Sequence, residues 1–356
     1  MTEGCTKARF ANDLKQALQV ARLAPSSHNS QPWLLKVIVG VPVEMSDQTI
    51  DECDHFLSLG FDDTRTLTSM DSLQPEMFIS LGGFWHMLRS MLDALGYRSD
   101  IFWQPETNQA LPASVAIVRV RKERPADNDA LERIKASASR RLTNRGPYQA
   151  SRLESIRLKP LFDSDSAALN VIDEPMMISR IANLVKRYAG LDFSNTKAWS
   201  ETWQYIRFDE KEPAEDGFYL SNLFGPVSRL TRFLFEFGLN PKRHWLYRPL
   251  GVPGIMAGGL ADLVRNTPQL FTVTVEQNSP EAWFSAGTSL IDFWLSCARQ
   301  GIAIHPVSVL LQNEEPKHNL QRVTGDENSV VFIGRIGFPQ QQAQPAPRRS
   351  VDSVLT

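Results

Sequence analysis

Two stretches of this chain repeat one pattern at a fixed distance, and that repeat constrains the fold more than any other feature. A long helix is predicted from about Pro75, a residue suited to a first helical turn, to Gly96, a natural C-terminal stop. A second is predicted from about Pro280 to Gln300. Gly82 and Gly96 match Gly287 and Gly301 at one constant offset of 205, which sets Leu88 opposite Phe293 and Leu92 opposite Cys297. Glycine at a helix end is common, but glycine early inside a helix costs roughly 1 kcal/mol against alanine, so its recurrence predicts close packing at both positions. The economical expectation is two fused α+β lobes meeting across a helical interface, residues 1–125 and 126–356.

The length of 356 residues and an apolar content of 42% suit two lobes with substantial cores. Apolar residues at Phe10, Leu14, Ala17, Leu18 and Ala21 predict an amphipathic helix from about Lys7 to Leu23, running into a Pro-Ser-Ser turn. Trp33–Val39, Ala113–Arg121, Phe271–Val275, Ile302–Val309 and Val330–Ile336 read as strands, and Ala130–Arg140 as a helix. Residues 189–260 break the repeat and are too long for a connector, which predicts inserted helices, either a lid over a pocket or a plain lobe interface.

With 38 basic and 40 acidic residues, the chain-wide charge of −2 offers no case for nucleic acid or an anionic membrane as partner, so any anion site must be local. Cys5, Cys53 and Cys297 are scattered, which argues against a disulfide framework or structural zinc and favours a reducing cytoplasm. No run of about 18 apolar residues and no N-terminal apolar core suggests a membrane span or export. A strand followed by Gly-x-Gly-x-x-Gly, a Walker loop, His-Glu-x-x-His and an EF-hand loop are all absent, leaving Rossmann, P-loop and common metal chemistry without support.

Two distant segments carry the chemistry. Pro25-Ser26-Ser27-His28-Asn29-Ser30-Gln31-Pro32-Trp33 is a turn of small hydroxyl residues between a helix and a strand, where backbone can approach a flat ring and Ser26, Ser27 and Asn29 can pair with a polar edge. The same residues are also good turn chemistry in their own right. Arg140-Arg141-Leu142-Thr143-Asn144-Arg145 puts cations and a hydroxyl at alternating positions, which suits a phosphate and equally suits a solvated basic helix end. His28 has no Gly-x-Ser-x-Gly elbow to serve and reads as a turn residue or pocket wall.

Together these segments resemble the two halves of the flavin site of the nitroreductase family, and their single occurrence in separate halves of one chain resembles its fused, pseudo-dimeric Acg-like branch. The resemblance implies a nitroreductase-like α+β fold, one complete FMN site per chain, and NAD(P)H as a candidate donor bound transiently over the flavin. It places Ser26, Ser27 and Asn29 against isoalloxazine and ribityl groups, Arg141 and Thr143 on the phosphate, and Pro25 and Asn144 among the cofactor-binding residues. Arg145 falls at the pyrimidine edge as the flavin-tuning cation; no other catalytic residue is assigned. Pro306 is a further flavin contact by that resemblance, though core packing explains it as well, and Arg348 and Arg349 match terminal arginines that complete a clamp. The implied function is two-electron reduction of a small aromatic acceptor such as a nitroaromatic or quinone, with Trp199, Trp203, Tyr205 and Trp245 as candidate pocket walls. A protein that sequesters FMN beneath the insertion without turnover is the alternative. With the family's dimer interface inside one chain, a monomer is compatible with the reading.

Overall fold

The computed structural model describes residues 7–45, 50–104, 110–224 and 227–356. The first helix, Lys7–Ala21, buries the expected face of Phe10, Leu14, Ala17, Leu18 and Ala21. Strands β1 (Trp33–Ile38), β2 (Asp54–Phe61), β3 (Tyr97–Trp103) and β4 (Ala116–Lys122) form an antiparallel sheet in the order β1–β2–β4–β3. Then come β5 (Ala167–Ile172), a small parallel pair of β6 (Ile206–Arg207) and β7 (Phe218–Tyr219), and β8 (Gln269–Val275), β9 (Ala303–Pro306) and β10 (Ser329–Gly337). The second sheet runs β5–β8–β10–β9, again antiparallel. Taken in chain order, the strands of each sheet lie first–second–fourth–third. In each, a long helix joins the second strand to the third: Gln74–Ala94 and Pro280–Arg299.

Those two helices make the most extensive element pairing in the molecule. A Cβ added at Gly82 would lie 2.0 Å from the Phe284 carbonyl oxygen, and one at Gly287 would lie 2.2 Å from the Ile79 oxygen. Ile79 and Phe284 are themselves separated by 205, the glycine offset, so the two contacts are one contact made twice, the reciprocal pattern of a two-fold interface within a single chain. Gly96 and Gly301 also behave alike, with φ of +84° and +73° just beyond the helix ends. Trp85, Leu88, Phe293 and Trp294 are buried about this contact in a core shared by both halves.

Several boundaries differ from expectation. Alternating hydrophobicity does not mark β2, because its last six residues are buried on both faces. The strand expected over Ile302–Val309 ends at Pro306, where Ser308–Leu310 turns into a short 3-10 helix. The insertion is wider than 189–260. It fills the link from β5 to β8 with helices that include Pro175–Ser194, Thr196–Gln204, Arg229–Gly238 and Val252–Arg265, the first and last of which bury Ile181, Val185, Ala257 and Ala261 in one cluster beneath the second sheet. The chain end crosses back to the first sheet, where Thr356 N–H donates to the Leu35 carbonyl at 2.9 Å. Cys53 is disulfide-bonded, a pairing that sequence spacing did not reveal, while Cys297 is a free buried thiol.

Candidate functional site

The segment after the first helix is held in an unfavourable backbone shape. His28, Asn29 and Gln31 have φ of 51°, 53° and 52°, a region that side chains with a Cβ seldom adopt. Such strain persists where surrounding bonds over-determine it. Here Gln31 N–H donates to Ser26 Oγ at 2.9 Å, and Asn29 Nδ2 donates to the carbonyls of Gly217 at 2.7 Å and Pro347 at 2.8 Å. Gln31 Nε2 donates to the Glu215 carbonyl, and Arg349 N–H donates to Gln31 Oε1. The insertion and the C-terminal tail thus grip the turn from two sides.

The basic segment is positioned by the second sheet. Arg141 caps the Asn128–Arg140 helix, Thr143 bridges to Ile304 of β9, and Asn144 N–H donates to the Ile304 carbonyl at 3.3 Å. Arg335 of β10 donates to the Gly146 carbonyl and sits 3.1 Å from His305 Nδ1. These bonds bring Thr143 and Arg145 to the same cavity, of about 320 Å³, as Pro25, Ser26, Ser27 and His28. Pro306 also lines it, as do Glu76, Ser80 and Trp294 from the two long helices. Ser27 Oγ donates to Glu76 Oε2 at 2.5 Å. The volume is within the usual range for a small-ligand site.

Beside this cavity the chain concentrates uncompensated positive charge. Arg141 and Arg348 both donate to the Leu23 carbonyl, at 3.0 and 3.4 Å, and the Arg141 guanidinium lies 5.0 Å over the Trp294 ring. Arg141 Nε and Nη1, Arg348 Nε and Arg22 Nε are buried without a partner. Among the described residues no carboxylate pairs with Arg22, Arg141, Arg145 or Arg348. Burial, reinforced by the charge of Arg348, pulls Arg141 down to about 9; burial and the charge of Arg22 pull Arg348 down to about 10. Arg145 is lowered to about 10, by burial against a smaller opposing effect of Tyr148. Buried cations are normally paired, so this cluster has the donor set and charge of a site for a phosphate-bearing anion.

Histidines nearby are neutral. His28 is lowered to about 4, first by desolvation, with Glu201 opposing and Arg145 adding. His305 is held well below the usual histidine value, first by burial and then by the charges of Arg145 and Arg335.

The structure separates the sequence-predicted residues into groups. Pro25, Ser26, Ser27, Thr143, Arg145 and Pro306 line the cavity, and Arg141 and Arg348 form the cationic cluster. Asn29 instead ties the turn to the insertion and tail, its Oδ1 accepting from Arg348 at 2.5 Å. Asn144 is buried with its amide donating to the Gln341 carbonyl and its oxygen accepting from Gly146 N–H. Arg349, expected in a clamp, is occupied elsewhere: it donates to the Gln31, Trp33 and Ser353 carbonyls and lies 3.2 Å from an Asp62 carboxylate oxygen. Of the candidate walls, Trp199 lines the cavity and donates to the Leu239 carbonyl, whereas Trp245 is 67% exposed on the outer surface. Trp203 packs on Trp199 and Phe208, and the Tyr205 hydroxyl points to the Arg65 carbonyl. Sequence reasoning missed Arg22, Glu76 and Trp294. Only Arg22, next to the Pro-Ser-Ser turn, carried a local signal.

No protein-family model matches the chain. It is 34% identical over 352 residues to a probable NAD(P)H nitroreductase, PigM, of Serratia sp. (strain ATCC 39006), an alignment covering 98% of this chain and 94% of that protein. It is 24% identical over 359 residues to an uncharacterized protein of Mycobacterium tuberculosis, covering 96% and 92%. Among solved structures it is similar to the FMN and NADPH-dependent nitroreductase NfnB from Sphigopyxis sp. strain HMH, with TM-score 0.39, 16% identity and coverage of 62% of this chain and 96% of that one. NfnB from Mycobacterium smegmatis, solved in complex with NADPH, has TM-score 0.36, 13% identity and coverage of 63% and 92%.

Proposed function

The chain belongs to the nitroreductase family, and from that premise we propose that it is an FMN-dependent oxidoreductase with one flavin site, in the cavity shared by the Pro25–His28 turn and the Thr143–Arg145 segment. The observation that carries this reading is the group of guanidiniums, Arg141 buried and Arg22 and Arg348 half-buried, whose enclosed nitrogens have no carboxylate partner among the described residues. A phosphate dianion would supply the missing acceptors for Arg141 and Arg348, with Arg22 adding charge. FMN, when bound, supplies two-electron hydride chemistry between NAD(P)H and an acceptor.

The chain's own residues would then hold, orient and tune. The Thr143 hydroxyl offers a further donor at the clamp. Arg145 lines the cavity half-buried and, among the described residues, without a carboxylate partner, so it would place positive charge beside a bound ring on which negative charge develops. The Trp199 and Phe218 side chains from the insertion supply an apolar wall suited to a flat aromatic acceptor, a nitroaromatic or a quinone. His28 and His305, both held neutral, add no competing cation, and neither is placed to hold a proton at neutral pH.

The test is the visible spectrum of the purified protein, followed by denaturation to count released flavin, then anaerobic mixing with NADPH and NADH. About one FMN per chain, bleached by either nucleotide, is expected. A colourless protein that stays colourless after reconstitution would end the reading. Flavin that resists both nucleotides would favour sequestration over turnover.

A further inference from the structure

The insertion carries a second apolar face that none of the described residues covers. In the Arg229–Gly238 helix, Phe235 packs inward on the core, and Leu239 just beyond the helix end is buried too. On the opposite side Leu230, Phe233, Leu234 and Phe237, spaced i, i+3, i+4 and i+7, are 67%, 58%, 57% and 45% exposed. Trp245, Leu250 and Ile255 of the same insertion are at least as open, at 67%, 69% and 72%. Isolated exposed apolar residues need no explanation, but a four-residue stripe along one helix face marks an interaction surface.

Local charge identifies the partner's chemistry. Between residues 229 and 248 the cations are Arg229, Arg232, Lys242, Arg243 and Arg248, against the single carboxylate Glu236, although the whole chain carries −2. Arg232 faces Asp209 at 3.6 Å, and Arg243 lies 3.9 Å over the Phe237 ring, while Arg229, Lys242 and Arg248 are exposed. A second copy meeting this face about a two-fold axis would set cations against cations. A surface that is apolar, aromatic and anionic meets both demands at once.

We propose that this face docks the protein peripherally on an anionic lipid bilayer, with Phe233, Phe237 and Trp245 at the boundary between headgroups and acyl chains and Arg229, Lys242 and Arg248 among the headgroups. Docking of this kind lies on the bilayer and does not cross it; among the described residues no helix is long and apolar enough to span. It stands on the exposed face alone and is independent of the flavin reading. The chain-wide charge balance hides the patch because acidic residues elsewhere offset it.

The test uses the full chain with sedimentable vesicles of phosphatidylcholine alone or mixed with phosphatidylglycerol. The protein is expected to sediment with the mixed vesicles, to be released by added salt, and to show Trp245 emission that shifts to the blue and is quenched by brominated acyl chains. Replacing Phe233, Phe237 and Trp245 together by serine should lower the bound fraction about tenfold or more, with flavin content and melting temperature unchanged. Should that variant fold poorly, Trp245→Phe alone must remove the lipid-quenched emission while leaving sedimentation largely intact. Absence of binding to anionic vesicles at low salt, or equal binding by the triple variant, overturns the proposal. Concentration-dependent self-association that the triple serine variant abolishes, without vesicle binding, would overturn it in favour of a second copy on this face.

Discussion

The two ends of the central helix pair share a scaffold and differ in what surrounds it. At one end Ser80 accepts from the Ser27 N–H at 3.4 Å and Trp294 underlies Arg141. At the other end, positions displaced by 205 hold Ser285, which hydrogen-bonds to Ser166 at 2.7 Å, and Arg89, which is exposed. Ile79 lines the cavity, while its counterpart Phe284 meets Trp103 edge-on with ring centroids 5.0 Å apart. One end is a cavity with a strained turn and unpaired cations, and at the other Ser285 and Phe284 are engaged by Ser166 and Trp103. The comparison shows that backbone contacts can keep a two-fold relation while the side chains around the two ends differ.

The shared scaffold is tested most severely at the glycines. Alanine at Gly82 or at Gly287 forces a Cβ into a facing carbonyl oxygen, so each is expected to lower unfolding free energy by about 3 kcal/mol despite the helix propensity it gains. Urea unfolding of both variants checks this. Equal losses support one contact made twice, and a tolerated alanine at either position breaks the equivalence.

The charged end responds differently when its charge is removed. In flavin-free protein Arg141→Met should raise stability by about 1–3 kcal/mol, because an unpaired buried cation is replaced by an apolar chain. The same change should weaken FMN retention by roughly tenfold or more. Thermal melts with and without FMN would reveal both signs; a variant destabilised in both states would mean that Arg141 serves packing and not an anion.

The strained turn has a pH signature of its own. His28 is held near 4 in the folded chain against about 6.5 unfolded, so the unfolded state binds more protons between those values. The resulting stability is fully present above about pH 6.5 and is lost as pH falls toward 4, by no more than about 3 kcal/mol. His28→Asn, which tolerates a positive φ, should flatten that decline in denaturant titrations. An unchanged slope would place the acid sensitivity elsewhere. The smallest effect is expected at the second end, where Arg89→Ala should change stability by about 0.5 kcal/mol or less and leave flavin content alone. Loss of flavin from that variant would reopen the second end as a site.

Much of this was readable along the chain because it is local. The amphipathic first helix, the paired long helices and the two chemistry-bearing segments all depend on periodicity, end signals or short-range spacing. β2 escaped because burial on both faces erases alternation. Arg349 and Trp245 were misplaced for a related reason: nothing in a side chain's type says whether it turns to a carbonyl, a cavity or solvent. Arg349 meets backbone oxygens more than 300 positions earlier in the chain, and Trp245 finds no cover.

The sequence by itself determined that two similar helices would pack at their glycines, because a missing Cβ is a statement about distance wherever the chain goes. It also determined that hydroxyl and guanidinium groups would be available in two segments. The tertiary structure alone decided that Arg22, Arg141 and Arg348 converge and that the C-terminal tail returns to secure Asn29. The physical reason is that desolvation and charge repulsion act through space, so the cationic site exists only after segments hundreds of residues apart have been brought together.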